Sequence, residues 1–160
     1  MRFYSAGVPG YLESHLVEGC DWAALGAGTV VDVGGADGYV SRALSKTHPQ
    51  LNMVVEDLPD VVAAAVRQPC LNPRIRYQAH DYFATQPVAG ADAYLFRWVL
   101  HDWPDYYVVR ILRSQVPAPR RGARIVVNES LSPEPGSLPL SLERTIWYVG
   151  NIPPKIVCKR

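Results

Sequence analysis

The chain has 160 residues, 48% of them hydrophobic, and a formal net charge of +1. That length suits one domain with a sizeable core, and the small charge gives no electrostatic basis for binding nucleic acid or an anionic membrane. No apolar run reaches the roughly 20 residues that span a bilayer, the N-terminus lacks a signal peptide's apolar core, and the three cysteines lack disulfide or metal-site spacing. These features predict a cytoplasmic α/β domain with reduced cysteines and no resident metal.

Residues 1–28 are predicted to form a helical segment that leads into the domain. A short helix is expected over 13–18, followed by one helical turn that Asp21 caps at its start and Gly26 at its end. Trp22 lies in this turn, where a large apolar side chain is typical of a packing anchor.

The chain is organised around residues 29–38. Residues 29–33 are mostly β-branched and apolar, as in a strand buried on both faces of a parallel sheet. The glycine-rich run Gly34-Gly35-x-x-Gly38 follows, and a helical pattern then begins at Tyr39. Strand, glycine loop and helix form the opening unit of a nucleotide-binding fold, in which backbone N–H groups face the ligand. Because the run is not the full G-x-G-x-x-G motif, a structural turn without a ligand stays open as the alternative.

The second strand is expected over 51–55 and ends on two acids, Glu56 and Asp57. An acidic side chain at this point, about 20 residues past the glycine loop, is where such folds bind a ribose. We predict that Asp57 has this role, with Glu56 as the alternative candidate. The competing interpretation is that Asp57 only precedes the next helix, expected over 60–68 with Pro59 in its first turn.

Three more strands and one long helix complete the predicted domain. Strands are expected over 74–79, 93–96 and 123–127, and Asp105 is expected to cap a helix that ends near residue 116. Strands that alternate with helices predict a Rossmann-like, doubly wound and mainly parallel sheet with right-handed crossovers.

Polar side chains follow the carboxyl ends of these strands, where ligands bind in sheets of this kind. Besides the glycine loop and Asp57 they are Asp81, Arg97, His101 and Glu129. The sequence therefore predicts acids gathered around one histidine at one edge of the sheet. A histidine that follows a strand is more often a structural hydrogen-bonding group than a general base, so the position alone does not establish a catalytic role.

The segment His101-Asp102-Trp103-Pro104-Asp105, preceded by Arg97-Trp98, is the most specific motif in the chain. Together with Asp32-Val33-Gly34-Gly35, Glu56-Asp57-Leu58-Pro59 and His80-Asp81-Tyr82-Phe83, it resembles the S-adenosylmethionine-dependent O-methyltransferases. The similarity is to the caffeate/flavonoid type, including its fungal secondary-metabolite members, and covers roughly residues 5–145. It implies the class I methyltransferase fold, S-adenosylmethionine as the cofactor, and a phenolic or polyketide-like hydroxyl as the acceptor.

The resemblance also implies a place for each cofactor-binding residue. Gly34 and its neighbours would lie under the methionine part of the cofactor, and Asp57 would bind the ribose hydroxyls. Asp81 and Tyr82 would lie beside the adenine. Arg97 stands where the family often carries a lysine that contacts the cofactor.

Two further residues would perform the chemistry that the resemblance implies. His101 would act as the general base and Glu129 would flank it. A sulfonium methyl is already electrophilic, so the enzyme has to align it and prepare a nucleophile. A phenol with a pKa near 10 can lose its proton to a histidine with a pKa near 6.5 as the oxygen attacks. Glu129 could orient the imidazole and stabilise its charged form.

The chain departs from the family at several points. Ala36 stands where the family usually has glycine, and no segment corresponds to the N-terminal domain through which the family forms homodimers. We expect a cofactor-binding domain over 29–145 and a divergent tail over 146–160, in a chain that is a fragment. The fifth strand would then be an exposed edge.

Two alternative functions stay open. One is a catalytically inactive, truncated remnant that still binds the cofactor. The other is a nicotinamide-dependent oxidoreductase, which the missing G-x-G-x-x-G motif and the lack of a Tyr-x-x-x-Lys pair in the matching region disfavour.

Overall fold

The computed structural model describes residues 13–67 and 72–129, together with the backbone of 155–159. Its helices are α1 (Glu13–Gly19), α2 (Tyr39–Thr47), α3 (Pro59–Ala65) and α4 (Asp105–Gln115), with single 3₁₀ turns at Ala23–Leu25 and Leu100–Asp102. Its strands are β1 (Thr29–Val33), β2 (Asn52–Asp57), β3 (Ile75–Ala79), β4 (Ala93–Arg97), β5 (Arg124–Glu129) and β6 (Lys155–Lys159).

The strands form one sheet in the order β3-β2-β1-β4-β5-β6. Neighbours among β1 to β5 pair in parallel, and β6 pairs antiparallel with β5. The strand order reverses between β1 and β4, which is the switch point where open α/β sheets bind ligands. Val33 at the end of β1 lies opposite Glu56 on β2 and Phe96 on β4, so these strand ends are level with one another. The predicted Rossmann-like, mainly parallel sheet is confirmed.

The sheet is buried on both faces, as the apolar composition of β1 and β4 predicts. Leu16 of α1 and Leu44 of α2 pack with Met53 and Val55 on one face. Ile111 of α4 packs in the cluster on the other face, which includes Val54. Successive residues of a strand therefore point into different layers, and this alternation decides which strand-end side chains face the ligand edge.

Two local predictions are wrong. The first residue of α4 is Asp105, while its N-cap is the extended Pro104, and the Asp105 side chain makes no capping bond. The β5 edge is also not exposed, because the backbone of β6 covers it. Trp22 is the N-cap of the first 3₁₀ turn, although the preceding Asp21 accepts a hydrogen bond from the Ala24 N–H at 3.1 Å, and Gly26 is the C-cap as predicted.

Parts of the predicted domains lie outside the described residues, namely 1–12 of the lead-in, 68–71, 130–154 and 160. None of the helices in the described part of the chain is long and apolar enough to cross a bilayer.

Candidate active site

The glycine loop closes the end of β1 against the segment that follows β4. Gly34 has a φ of 72°, and a Cβ there would lie 2.8 Å from Val99 Cγ2. Gly38 has a φ of 74° and precedes α2, and a Cβ there would lie 2.7 Å from the Tyr77 hydroxyl oxygen. Glycine at these two positions lets the backbone take left-handed conformations while it packs closely against Val99 and Tyr77 at the switch point.

The structure distinguishes between the two acids at the end of β2. Asp57 is half-buried, and its Oδ2 accepts a hydrogen bond from the Ala36 N–H of the glycine loop at 2.9 Å. Its Oδ1 accepts another from the Leu58 N–H at 2.8 Å. Glu56 points into the opposite layer, where it is 1% exposed and bonded to Gln86. Asp57 is therefore the acid that lies beside the glycine loop.

Ala36, where glycine is usual, takes a φ of 51°. Its methyl group is tolerated in this left-handed conformation, which a residue other than glycine adopts at some cost.

Asp81 and Tyr82 lie in the loop after β3. Asp81 is exposed, and its Oδ1 accepts a hydrogen bond from the Phe83 N–H at 2.9 Å. Tyr82 is half-buried, and its hydroxyl accepts a hydrogen bond from the Trp103 Nε1–H at 3.2 Å. Its Cε1 lies 3.9 Å from where a Cβ on Gly34 would stand. Tyr82 thus connects the glycine loop with the histidine-bearing segment.

Arg97 is buried at the end of β4. Its Nη1 donates to Asn128 Oδ1 at 2.6 Å and its Nη2 donates to the Tyr39 hydroxyl at 3.1 Å. The guanidinium also lies 4.4 Å from the centre of the Trp98 ring, in cation–π contact. These contacts tie β4 to β5 and to the start of α2. The expected contact between Arg97 and the cofactor stays a prediction.

His101 and Glu129 form the most closely coupled pair at this edge. His101 Nδ1 lies 2.6 Å from Glu129 Oε2, while Glu129 Oε1 accepts hydrogen bonds from the N–H groups of Val99 and Leu100 at 2.8 Å each. Glu129 is 5% exposed. One buried carboxylate therefore fixes both the imidazole and the turn that carries it.

The surroundings of His101 favour its charged form. The hydrogen bond that His101 donates to Glu129 raises the pKa of His101 above its usual value, partial burial opposes this, and the charges of Glu129 and Asp102 add to the rise. With the Nδ1 proton directed at Glu129, Nε2 is the ring atom left to accept a proton. Nε2 lies 3.3 Å from an oxygen of Asp102, whose side chain is 63% exposed.

A second carboxylate lies beneath the glycine loop. Asp32 is 2% exposed and accepts a hydrogen bond from the Ser41 hydroxyl at 2.6 Å. Burial raises the pKa of Asp32 to about 6, although Ser41 and the Arg97 charge act in the opposite direction. No group of three or more His, Cys, Asp or Glu side chains among the described residues could hold a metal ion.

Sequence reasoning missed Gln86 and the contact between Trp103 and Tyr82. Gln86 is 4% exposed and bonds to Glu56, a partner 30 residues away in the chain. No local pattern marks such a residue. The Trp103 contact had one signal, the position of Trp103 within the motif that starts at His101.

Comparison with known proteins identifies the family. The sequence model of one protein family, the O-methyltransferase domain, matches residues 13–148. The chain belongs to the O-methyltransferase family. This O-methyltransferase chain is 49% identical over 141 residues to the grayanic acid biosynthesis cluster O-methyltransferase of Cladonia grayi, a match that covers 86% of the chain and 31% of the relative. It therefore spans about a third of the length of the curated relatives it matches.

Two solved structures extend the comparison. The O-methyltransferase NcsB1 from neocarzinostatin biosynthesis, in complex with S-adenosylhomocysteine and 1,4-dihydroxy-2-naphthoic acid, is 34% identical with a TM-score of 0.68. That match covers 88% of this chain and 43% of NcsB1. The mitomycin 7-O-methyltransferase MmcR is 28% identical with a TM-score of 0.73, covering 88% of this chain and 41% of MmcR. The predicted family and its cofactor, S-adenosylmethionine, are confirmed.

Proposed function

We propose that the chain carries the cofactor site and the general base of an enzyme that methylates a hydroxyl group of a small aromatic secondary metabolite. The observation that carries this proposal is the hydrogen bond between His101 Nδ1 and Glu129 Oε2, which lie 2.6 Å apart. Glu129 also holds Val99, and Val99 contacts the position where a Cβ on Gly34 would stand. Glu129 thus binds His101 directly and reaches the glycine loop through Val99.

The residues present fit S-adenosylmethionine. A Cβ at Gly34 would collide with Val99, so glycine is needed for the loop to take its left-handed conformation at the end of β1, where such folds bind their cofactor. In the proposed site Gly34 lies under the methionine part, Asp57 faces the ribose, Asp81 and Tyr82 lie beside the adenine, and Arg97 contacts the cofactor. When bound, the cofactor supplies an activated methyl group.

The protein's contribution to the reaction is proton removal and alignment. Glu129 holds the Nδ1 proton of His101, which leaves Nε2 to take the proton of the acceptor's hydroxyl group. The imidazolium that forms is stabilised by Glu129. Because Asp102 lies against Nε2, the acceptor hydroxyl has to replace it there. Residues 29–145 would form the cofactor-binding domain and 146–160 the tail.

The relatives support an aromatic hydroxyl as the acceptor. NcsB1 binds 1,4-dihydroxy-2-naphthoic acid, which carries two hydroxyl groups on a fused aromatic ring. The relative from Cladonia grayi takes its name from grayanic acid biosynthesis. We therefore use 1,4-dihydroxy-2-naphthoic acid as the first probe acceptor.

Calorimetric titration of the full chain with S-adenosylhomocysteine tests the cofactor site. Micromolar binding is expected, weakened about tenfold or more by Asp57→Ala through the loss of hydrogen bonds to the ribose. Asp60→Ala, which removes a nearby exposed acid on α3, is the matched control and should bind like the wild type. Absence of binding by the folded wild-type chain, or competition by NAD(H), would refute the proposed site.

Transfer of a radiolabelled methyl group to the probe acceptor tests the base. His101→Ala should abolish transfer and leave the affinity for S-adenosylhomocysteine unchanged, while His48→Ala, at the far end of α2, should alter neither. Equal transfer rates in the wild type and His101→Ala would exclude His101 as the base. Binding without transfer to any acceptor would support the inactive cofactor-binding remnant.

A further inference from the structure

The loop over 82–88, between β3 and β4, contains no helix or strand but is bound to the core at several points. The Ser114 hydroxyl lies 2.6 Å from the Tyr82 carbonyl oxygen at the start of the loop. The Gln86 N–H donates to the Ser114 carbonyl at 3.0 Å. At the end of the loop, the Tyr94 hydroxyl donates to the Val88 carbonyl at 2.7 Å. The position of Tyr82 therefore depends on contacts that lie inside the domain.

The side chain of Gln86 is the centre of this arrangement. Its Nε2 donates to Glu56 Oε2 at 2.8 Å and to Gln115 Oε1 at 2.9 Å, and its Oε1 accepts from the Val88 N–H at 2.9 Å. Gln115 in turn donates to the Ser114 hydroxyl at 2.8 Å. A continuous path of hydrogen bonds, buried at Glu56 and Gln86 and half-buried at Ser114, thus runs from β2 to the carbonyl of Tyr82.

Glu56 is the start of this path and has no part in the proposed chemistry. It is 1% exposed, and its Oε1 has no hydrogen-bond partner within the described part of the chain. The titratable groups that face it are Arg76 on β3 and Tyr94 on β4. A buried carboxyl group is costly, so an apolar residue at this position would be the expected choice for stability alone. Within the described residues, the Glu56 carboxylate accepts its hydrogen bond from Gln86.

We propose that Glu56 is a positioning residue, which acts through Gln86 and Gln115 to hold the 82–88 loop, and with it Tyr82, beside the bound cofactor. The role rests on the proposed function, since it assumes that Tyr82 borders the cofactor. Strand alternation supports it: Asp57 faces the glycine loop, and the preceding Glu56 faces the 82–88 loop. The end of β2 thus fixes both loops of the proposed site.

Three variants of the full 160-residue chain test this role. Glu56→Gln keeps an acceptor oxygen for Gln86, whereas Glu56→Leu removes it. Ser45→Ala is the matched control, because Ser45 is also a buried polar residue but lies on α2. Hydrogen exchange of the 82–88 amides is measured without ligand, and the affinity for S-adenosylhomocysteine is measured by calorimetry.

Glu56→Leu should speed exchange of the 82–88 amides about tenfold or more and weaken binding by a similar factor, as expected from the loss of one buried hydrogen bond. Glu56→Gln and Ser45→Ala should both stay within about twofold of the wild type. Rescue by the glutamine variant separates positioning from a general loss of stability.

The proposal would be overturned if Glu56→Leu exchanged its 82–88 amides and bound S-adenosylhomocysteine as the wild type does. If that variant does not fold, Gln86→Leu breaks the same path from its other side, and unchanged exchange of the 82–88 amides there overturns it equally. If the wild-type chain does not bind S-adenosylhomocysteine, the proposed function fails, while the exchange measurement still decides whether Glu56 holds the loop.

Discussion

Replacing Glu56 by glutamine should change how the stability of the fold depends on pH. Burial raises the pKa of Glu56 from an ordinary value of 4.5 to about 7, against the smaller effects of Gln86 and Arg76. The folded state therefore binds this proton more tightly than the unfolded state does. The stabilisation is fully present below pH 4.5 and is lost as the pH rises to about 7, for a total of about 3 kcal/mol.

Urea unfolding of the wild type and Glu56→Gln between pH 4.5 and 8 measures this contribution. The free energy of unfolding of the wild type should fall by about 3 kcal/mol more than that of the variant over this range, because glutamine does not titrate. Asp32, whose pKa burial raises to about 6, contributes a fall of the same sign in both proteins, which cancels in the difference. Parallel pH profiles for the two proteins would refute a buried, readily protonated Glu56.

Two further predictions concern the edge of the sheet. Gly34→Ala should lower the affinity for S-adenosylhomocysteine about tenfold or more, whereas Gly90→Ala should leave it unchanged and show only the cost of its left-handed backbone, about 1 kcal/mol. Both glycines have a φ above 70°, but only Gly34 would contact a neighbour, Val99, and binding calorimetry with urea unfolding measures both effects. Glu129→Gln should lower kcat about 100-fold without recovery at high pH. Recovery of Glu129→Gln activity above pH 9 would contradict this expectation.

The succession of strands along the chain and the residues at their ends could be predicted because both depend on local pattern. β1 and β4 are buried on both faces, and their apolar runs differ clearly from the flanking loops. Spacing alone left Glu56 and Asp57 as alternatives for the ribose role. The alternation of side chains along β2, with Val54 and Val55 in different core clusters, is what places Asp57 beside the glycine loop.

Contacts between residues far apart in the sequence could not be predicted. Gln86 lies 30 residues from Glu56 and 29 from Gln115, and a glutamine in a loop is usually exposed. The pairing of β6 with β5 likewise joins residues that are far apart in the sequence, and no local pattern predicts it. The Asp105 cap failed for a local reason, since the extended Pro104 occupies the capping position and leaves Asp105 inside the helix.

The arrangement around Glu129 explains why a glutamine there should not be rescued by pH. Oε1 accepts two backbone N–H groups, from Val99 and Leu100, so the glutamine oxygen has to stay on that side. The amide NH₂ then faces His101 Nδ1, which is forced to accept a hydrogen bond, and the ring proton moves to Nε2. An imidazole that carries its proton on Nε2 cannot take the acceptor's proton, however high the pH. Nitrogen NMR of the labelled histidine should show Nδ1–H in the neutral wild type and Nε2–H in Glu129→Gln, and the same tautomer in both would mean that Glu129 does not set the direction of proton transfer.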